Sequence, residues 1–156
     1  MLSKDIQSFL TTKLKKHKLS KKEFSQLSNI PYRGVCSLIN EERLYPEIYT
    51  LTKIADFFNC QIDQILNRKQ FIDKTLEIKI GLTEDYLMTS LKKYIQEQLL
   101  AKSIKPIKLG REIGFSIISI SEFIKPNSKQ KKLGTPIVFA LANYFDVSID
   151  SMIGRV

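Results

Sequence analysis

Residues 20–31 read Ser20-Lys21-Lys22-Glu23-Phe24-Ser25-Gln26-Leu27-Ser28-Asn29-Ile30-Pro31, and they set a helix, both of its ends and the start of the next one. Ser20 followed three residues later by Glu23 is a capping box ahead of an apolar run. Asn29 tolerates the left-handed backbone that ends a helix, and Pro31 suits the first turn of a new one. The stretch therefore predicts a short helix, a tight turn and a third helix from about Pro31 to Asn40, with Val35 and Leu38 facing inward. Upstream, Ile6, Phe9, Leu10 and Leu14 recur at helical spacing, with Ser3 as the expected N-cap. Downstream, Pro46 is expected to open a fourth helix with Ile48, Leu51, Ile54, Ala55 and Phe58 inward, and Gln61 to Leu66 forms a fifth. Two short helices joined by a tight turn make a helix-turn-helix.

The same pattern occurs again. Phe24 to Ile30 matches Leu109-Gly110-Arg111-Glu112-Ile113-Gly114-Phe115 at an offset of 85, and Val35 with Leu38 match Ile120 with Phe123. Ile54 to Asp63 matches Leu141 to Asp150 at an offset of 87, which places two extra residues between the blocks, in the loop around 129–132. A repeat of this length changes the expected architecture. The chain is expected to be all-α, with two tandem five-helix domains at 1–70 and 87–156 and a linker at 71–86. In the second half, Thr83 should cap the opening helix and Pro106 start the next. Ser116 should cap the third and Thr135-Pro136 open the fourth.

The ordered set Phe24, Ser25, Asn29, Ile30, Val35, Leu38, Pro46, Leu51, Ile54, Ala55, Phe58, Cys60, Asp63 and Ile65 resembles the lambda-repressor/Cro (XRE-type) family over nearly all of residues 6–66. The second half is similar to it as well. That resemblance implies a DNA-binding fold whose third helix enters the major groove, with the residues just after the turn at the base edges. In the first half it implies base contacts from Tyr32, Arg33, Gly34 and Ser37, and phosphate contacts from Lys21, Lys22, Asn40 and Arg43. A guanidinium at Arg33 offers a bidentate fork to guanine, worth about 1–3 kcal/mol of discrimination. In the second half the matching positions are Ser116, Ile117, Ile118, Ser119 and Glu122, and Pro106 with Ile107 replace the two lysines. Isoleucine reads no hydrogen-bond pattern. The pair Ile117-Ile118, with Glu122, is therefore expected either to pack against a neighbouring helix or to form a protein interface. Ser116, Ser119, Lys125, Lys129, Lys131 and Lys132 remain as candidate DNA contacts there.

Composition agrees with a nucleic-acid partner. Net charge is +9: residues 1–70 contribute +5, 71–86 contribute −2 and 87–156 contribute +6. No apolar run reaches the roughly 20 residues of a membrane helix, and the N-terminus lacks an export signal, so a cytoplasmic protein is expected. Cys36 and Cys60 are then free thiols. The single histidine, His17, is expected in the surface loop between the first two helices, and no Cys/His cluster predicts a metal or cofactor. Neither a nucleophile–base pair nor a Gly-rich phosphate loop is present, which argues against an enzyme. Phe57, Phe58, Tyr144 and Phe145 are expected in the core rather than in a stacking platform for single strands.

Residues 75–80 (Thr75-Leu76-Glu77-Ile78-Lys79-Ile80) alternate polar and apolar. They predict either a strand pairing two chains in a homodimer or an extended linker lying on one domain. Fully extended, the linker reaches ~60 Å, enough to span sites ~34 Å apart on duplex DNA. The functional expectation is a sequence-specific transcriptional regulator, such as a repressor, whose first half reads bases while the second anchors or dimerises. The alternative is a protein-interaction module on the same scaffold, antitoxin-like or accessory.

Overall fold

A computed structural model describes residues 2–42 and 45–156, and among them every regular element is helical. The chain divides into two compact units, Met1–Ile80 and Gly81–Val156.

In the first unit the helices are α1 (Leu2–Lys16), α2 (Lys21–Ser28), α3 (Tyr32–Ile39), α4 (Ile48–Phe57) and α5 (Ile62–Ile65), followed by a single 3-10 turn at Lys69–Phe71. The expected capping box closes as drawn: Glu23 N–H donates to Ser20 Oγ at 3.0 Å, and Ser20 N–H donates to Glu23 Oε1 at 3.2 Å. Asn29 takes the left-handed conformation, φ 60 and ψ 27. Ser3 is not a cap. It lies inside α1 and is buried with Ile6, Leu10 and Leu14. Pro46 also stops short of its expected role, since α4 begins at Ile48 with Glu47 as N-cap. The core joins these residues to Phe24, Val35, Leu38, Leu51, Ile54 and Ile62. Phe57 and Phe58 are half-buried members of an aromatic cluster. Their rings pack 4.9 Å apart, Phe24 lies 5.0 Å from Phe57, and exposed His17 sits 5.5 Å from Phe58.

The second unit runs α6 (Glu84–Lys102), α7 (Pro106–Glu112), α8 (Ser119–Ile124), α9 (Thr135–Phe145) and α10 (Ile149–Met152). Thr83 caps α6 by accepting from Tyr86 N–H at 3.1 Å. That helix buries Leu87, Met88, Leu91, Ile95 and Leu99 against Ile120, Phe123, Val138 and Leu141. Gln96 Nε2 donates to Ile124 C=O at 3.0 Å, which ties α6 to the end of α8. Tyr144 departs from its expected place in the core. It is 38% exposed, and its hydroxyl donates to Glu112 Oε2 at 2.6 Å. That bond raises the phenol above its ordinary value.

No strand forms at 75–80. The alternation is real, but a lone strand leaves its backbone groups without a ladder, and no partner strand occurs among the described residues. Just ahead of the stretch, Asp73 N–H donates to Gln61 Oε1 at 2.9 Å. Helix α6 begins at Glu84, inside the span expected to be linker.

Two ion pairs lie in the core. Arg68 bonds Asp63 in the first unit, and Arg155 bonds Asp150 in the second; all four residues are at most 4% exposed. In each pair the arginine N–H also donates to the aspartate backbone carbonyl, at 2.9 Å. The pair thereby closes a loop around the last short helix. Arg68 further stacks on Phe71, with its guanidinium carbon 4.1 Å from the ring centre. Removing one partner strands a buried charge, which costs roughly 3–5 kcal/mol, whereas removing both together is far milder. Asp63→Ala should therefore lower the urea midpoint markedly, and Asp63→Leu combined with Arg68→Met should recover most of the loss.

Candidate nucleic-acid interface

The first unit presents α2, the turn and α3 on one surface. The turn is held from two sides. Ser25 Oγ donates to Ile30 C=O at 2.6 Å, and Lys53 Nζ, from α4, donates to Asn29 C=O at 3.2 Å while lying 4.8 Å from the centre of the Tyr49 ring. Ile30 is buried, so the chain enters α3 anchored at its start. Val35 and Leu38 point into the core, which turns Tyr32 and Arg33 outward.

Of the expected contacts in this unit, Lys22, Tyr32, Arg33 and Asn40 are exposed, and Lys21, Gly34 and Ser37 are half-buried. Arg43 lies outside the described residues. Lys21, Lys22 and Arg33 form no ion pair among the described residues, so their charge is available to an external anion. Tyr32 is hydrogen-bonded with Cys36 one turn on, and that contact raises its phenol above the ordinary value. The residue is a neutral donor at physiological pH. A Cβ added at Gly34 would meet Ile30 Cγ2 at 3.5 Å, an ordinary contact. The fold itself does not require glycine there.

The corresponding surface of the second unit is built differently. Gly114 supplies the turn at φ +78, but Phe115 to Ile118 do not continue into a helix, and α8 starts at Ser119. Ser116 is therefore not the expected cap. The cause lies in α7. A Cβ at Gly110 would sit 3.1 Å from the Ser116 carbonyl oxygen and 3.3 Å from Ile117 Cα, so the missing side chain lets the turn settle against the helix. Ile117 and Ile118 project from this turn at 45% and 58% exposure. The backbone of Ile117 lies against Gly110 of α7.

Several cations of this unit are paired with carboxylates. Lys125 pairs with Glu122 inside one turn of chain, and Lys132 pairs with Glu84 at 3.1 Å. Lys108 approaches Glu112 at 3.9 Å. Ser119 is half-buried at the start of α8, and Ser116, Lys129 and Lys131 are exposed. Sequence reasoning missed Lys53, whose role depends on α4 folding back onto the turn. It also missed Arg68 and Arg155, although the spacing Asp-x-x-x-x-Arg occurs in both halves.

Among the described residues, no cluster of His, Cys, Asp or Glu could hold a metal, and no helix is long and apolar enough to cross a membrane. Residues 10–70 match the family model of the Cro/C1-type HTH DNA-binding domain. An HTH-type transcriptional regulator of Rickettsia prowazekii is 39% identical over 71 residues, covering 44% of this chain and 77% of the relative. One from Rickettsia conorii is 38% identical over 71 residues, covering 44% and 65%. Both are described as uncharacterized, and no solved structure matches the chain. With an open basic face on α2 and α3 and these likenesses together, the chain belongs to the HTH-type transcriptional regulators that bind DNA through a Cro/C1-type helix-turn-helix domain.

Proposed function

We propose that the chain is a tandem regulator: its first unit reads specific bases in duplex DNA, and its second is a diverged copy of the same domain that holds the assembly together. The observation that carries the asymmetry is the state of the charges. Among the described residues, Lys21, Lys22 and Arg33 of α2 and α3 form no ion pair, whereas Lys125 and Lys132, candidate contacts of the second unit, are committed to Glu122 and Glu84.

Duplication is supported by the backbone. Left-handed residues occur at Lys18, Asn29, Glu41, Asn59 and Asn67 in the first unit. In the second, besides Gly81 at its start, they occur at Ser103, Gly114, Asn127, Asp146 and Gly154, in the same order and at offsets of 85, 85, 86, 87 and 87. The steps divide the two extra residues, one just after α8 and one in the loop that follows. The buried pair Asp63–Arg68 recurs as Asp150–Arg155 at the offset of 87. A left-handed conformation is costly for most side chains, so five matched sites argue for one inherited fold.

In this reading α3 enters the major groove with Arg33 at a guanine edge, Tyr32 and Ser37 beside it, and Gly34 allowing close approach. Lys21, Lys22 and Asn40 fix the register on phosphates, which makes affinity steeply salt-dependent. A second reading, in which the whole chain is a protein-interaction module, is favoured by the exposed Ile117 and Ile118 alone. The absence of salt-dependent duplex binding would select it.

Three outcomes follow for duplexes selected by the chain from a randomised pool. Arg33→Ala should cost about 1–3 kcal/mol against the selected site and much less against unrelated duplex. An equal loss on every sequence would mean that Arg33 does not read a base. Lys22→Ala should weaken binding to all duplexes and reduce the slope of log K against log salt by about 1. Gly34→Ala should stabilise the fold by up to about 1 kcal/mol, as alanine does over glycine in a helix, while weakening duplex binding. Unchanged binding would remove Gly34 from the contact surface.

A further inference from the structure

The junction of α1 and α2 carries more positive charge than its fold requires. Residues 13–22 hold six lysines and no acid. Lys13 lies over the Phe9 ring, 5.6 Å from its centre, and Lys21 and Lys22 are the candidate phosphate contacts of α2. The other three, Lys15, Lys16 and Lys18, are exposed and form no ion pair among the described residues. The nearest carboxylate in sequence, Glu23, is tied into the capping box at Ser20. Gathering like charges this closely is unfavourable unless the fold or an external anion compensates it.

The second unit rules out the fold as the cause, because it builds the same turn without these lysines. Lys18 N–H donates to Lys15 C=O at 3.2 Å and Leu19 N–H to Leu14 C=O at 2.9 Å. At the offset of 85, Ser103 N–H donates to Leu100 C=O at 3.3 Å and Ile104 N–H to Leu99 C=O at 3.0 Å. Lys18 and Ser103 are both left-handed, at φ 55 and 52. Yet the positions of Lys15, Lys16 and Lys18 are held there by Leu100, Ala101 and Ser103, all exposed. Cations do favour the negative end of a helix dipole. Helix α6 nevertheless ends with Lys102 as the basic residue of its last turn, where α1 has Lys13, Lys15 and Lys16. Neither the turn nor the dipole demands the cluster, which leaves an external anion.

The turn also fixes where the charges stand. Closed by its backbone bonds, it delivers the chain at once to Ser20 and the opening of α2. The cluster is thus continuous with Lys21 and Lys22, and the anion that fits both is the regularly charged backbone of one duplex. We propose that Lys15, Lys16 and Lys18 form an outer phosphate clamp, which grips the duplex flanking the base pairs that α3 reads. This rests on the first unit as the reading element, and it extends that unit's footprint beyond the helix-turn-helix. Phosphate contacts position a protein without reading sequence, so the clamp adds affinity and no discrimination.

The test uses the full chain and two duplexes with the same selected site, one ending at the site and one extended by a helical turn on each side. The variant combines Lys15→Gln, Lys16→Gln and Lys18→Gln, with circular dichroism and the urea midpoint confirming an unchanged fold. On the extended duplex it should reduce the slope of log K against log salt by about 2–3. Selected and unrelated extended duplexes should lose affinity by the same factor, and the trimmed duplex should lose much less. Uncharged methylphosphonate linkages in the flank should weaken the wild type and leave the variant as it is. Arginine at all three positions should restore wild-type binding. An unchanged slope, an equal loss on trimmed and extended duplexes, or a loss confined to the selected sequence would each overturn the clamp. Arg33→Ala on the same duplexes reports on the parent reading. If it relaxes discrimination while the glutamine variant binds as wild type, the clamp alone falls. A wild type without salt-dependent duplex binding removes both.

Discussion

The left-handed turn at Asn29 is the constraint on which the first unit's function depends. At φ 60 the backbone reverses between α2 and α3. Ser25 and Lys53 donate to the carbonyls of Ile30 and Asn29, so the reversal leaves neither acceptor unpaired. With Ile30, Val35 and Leu38 fixed in the core, the start of α3 has only one outward direction, and Tyr32 and Arg33 take it. A one-residue slip here would rotate the helix by about 100° and turn Arg33 off the surface. The turn thus links a single residue's conformation to the display of the basic face.

A second constraint secures the far end of each unit. Burying an arginine and an aspartate together is a weak source of stability, because desolvation offsets much of their attraction. Its value lies in geometry. An α5 of four residues is too short to hold itself, and the pair clasps it by side chain and backbone at once. The same clasp appears at α10, where Arg155 is fully buried. These pairs fix how the chain leaves the helical core.

Much of the local structure was legible because its causes are local. The capping box at Ser20, the cap at Thr83 and the proline start of α7 all depend on residues within four positions of one another. The α7–α8 turn was not legible, since its shape depends on the absence of a side chain at Gly110 across a tertiary contact. Ser116 looked like a cap because nothing in its own neighbourhood says otherwise. The alternation at 75–80 misled for the opposite reason: period two records which side chains could share a face, but not whether a ladder partner exists. At the candidate site, exposure of Arg33 and Lys22 followed from the inward spacing of Phe24, Val35 and Leu38. The pairing of Lys125 and Lys132 with carboxylates depended on side-chain positions that spacing does not fix.

The account's central proposal is that the α2–α3 face meets DNA and the α7–α8 face does not. It is tested most directly by following backbone amide NMR shifts of the full chain during titration with a selected duplex at moderate salt. The account predicts shifts concentrated from Ser20 to Asn40, with Ile117 to Glu122 unmoved through the first equivalent. Shifts of equal size and equal midpoint on both stretches would contradict it.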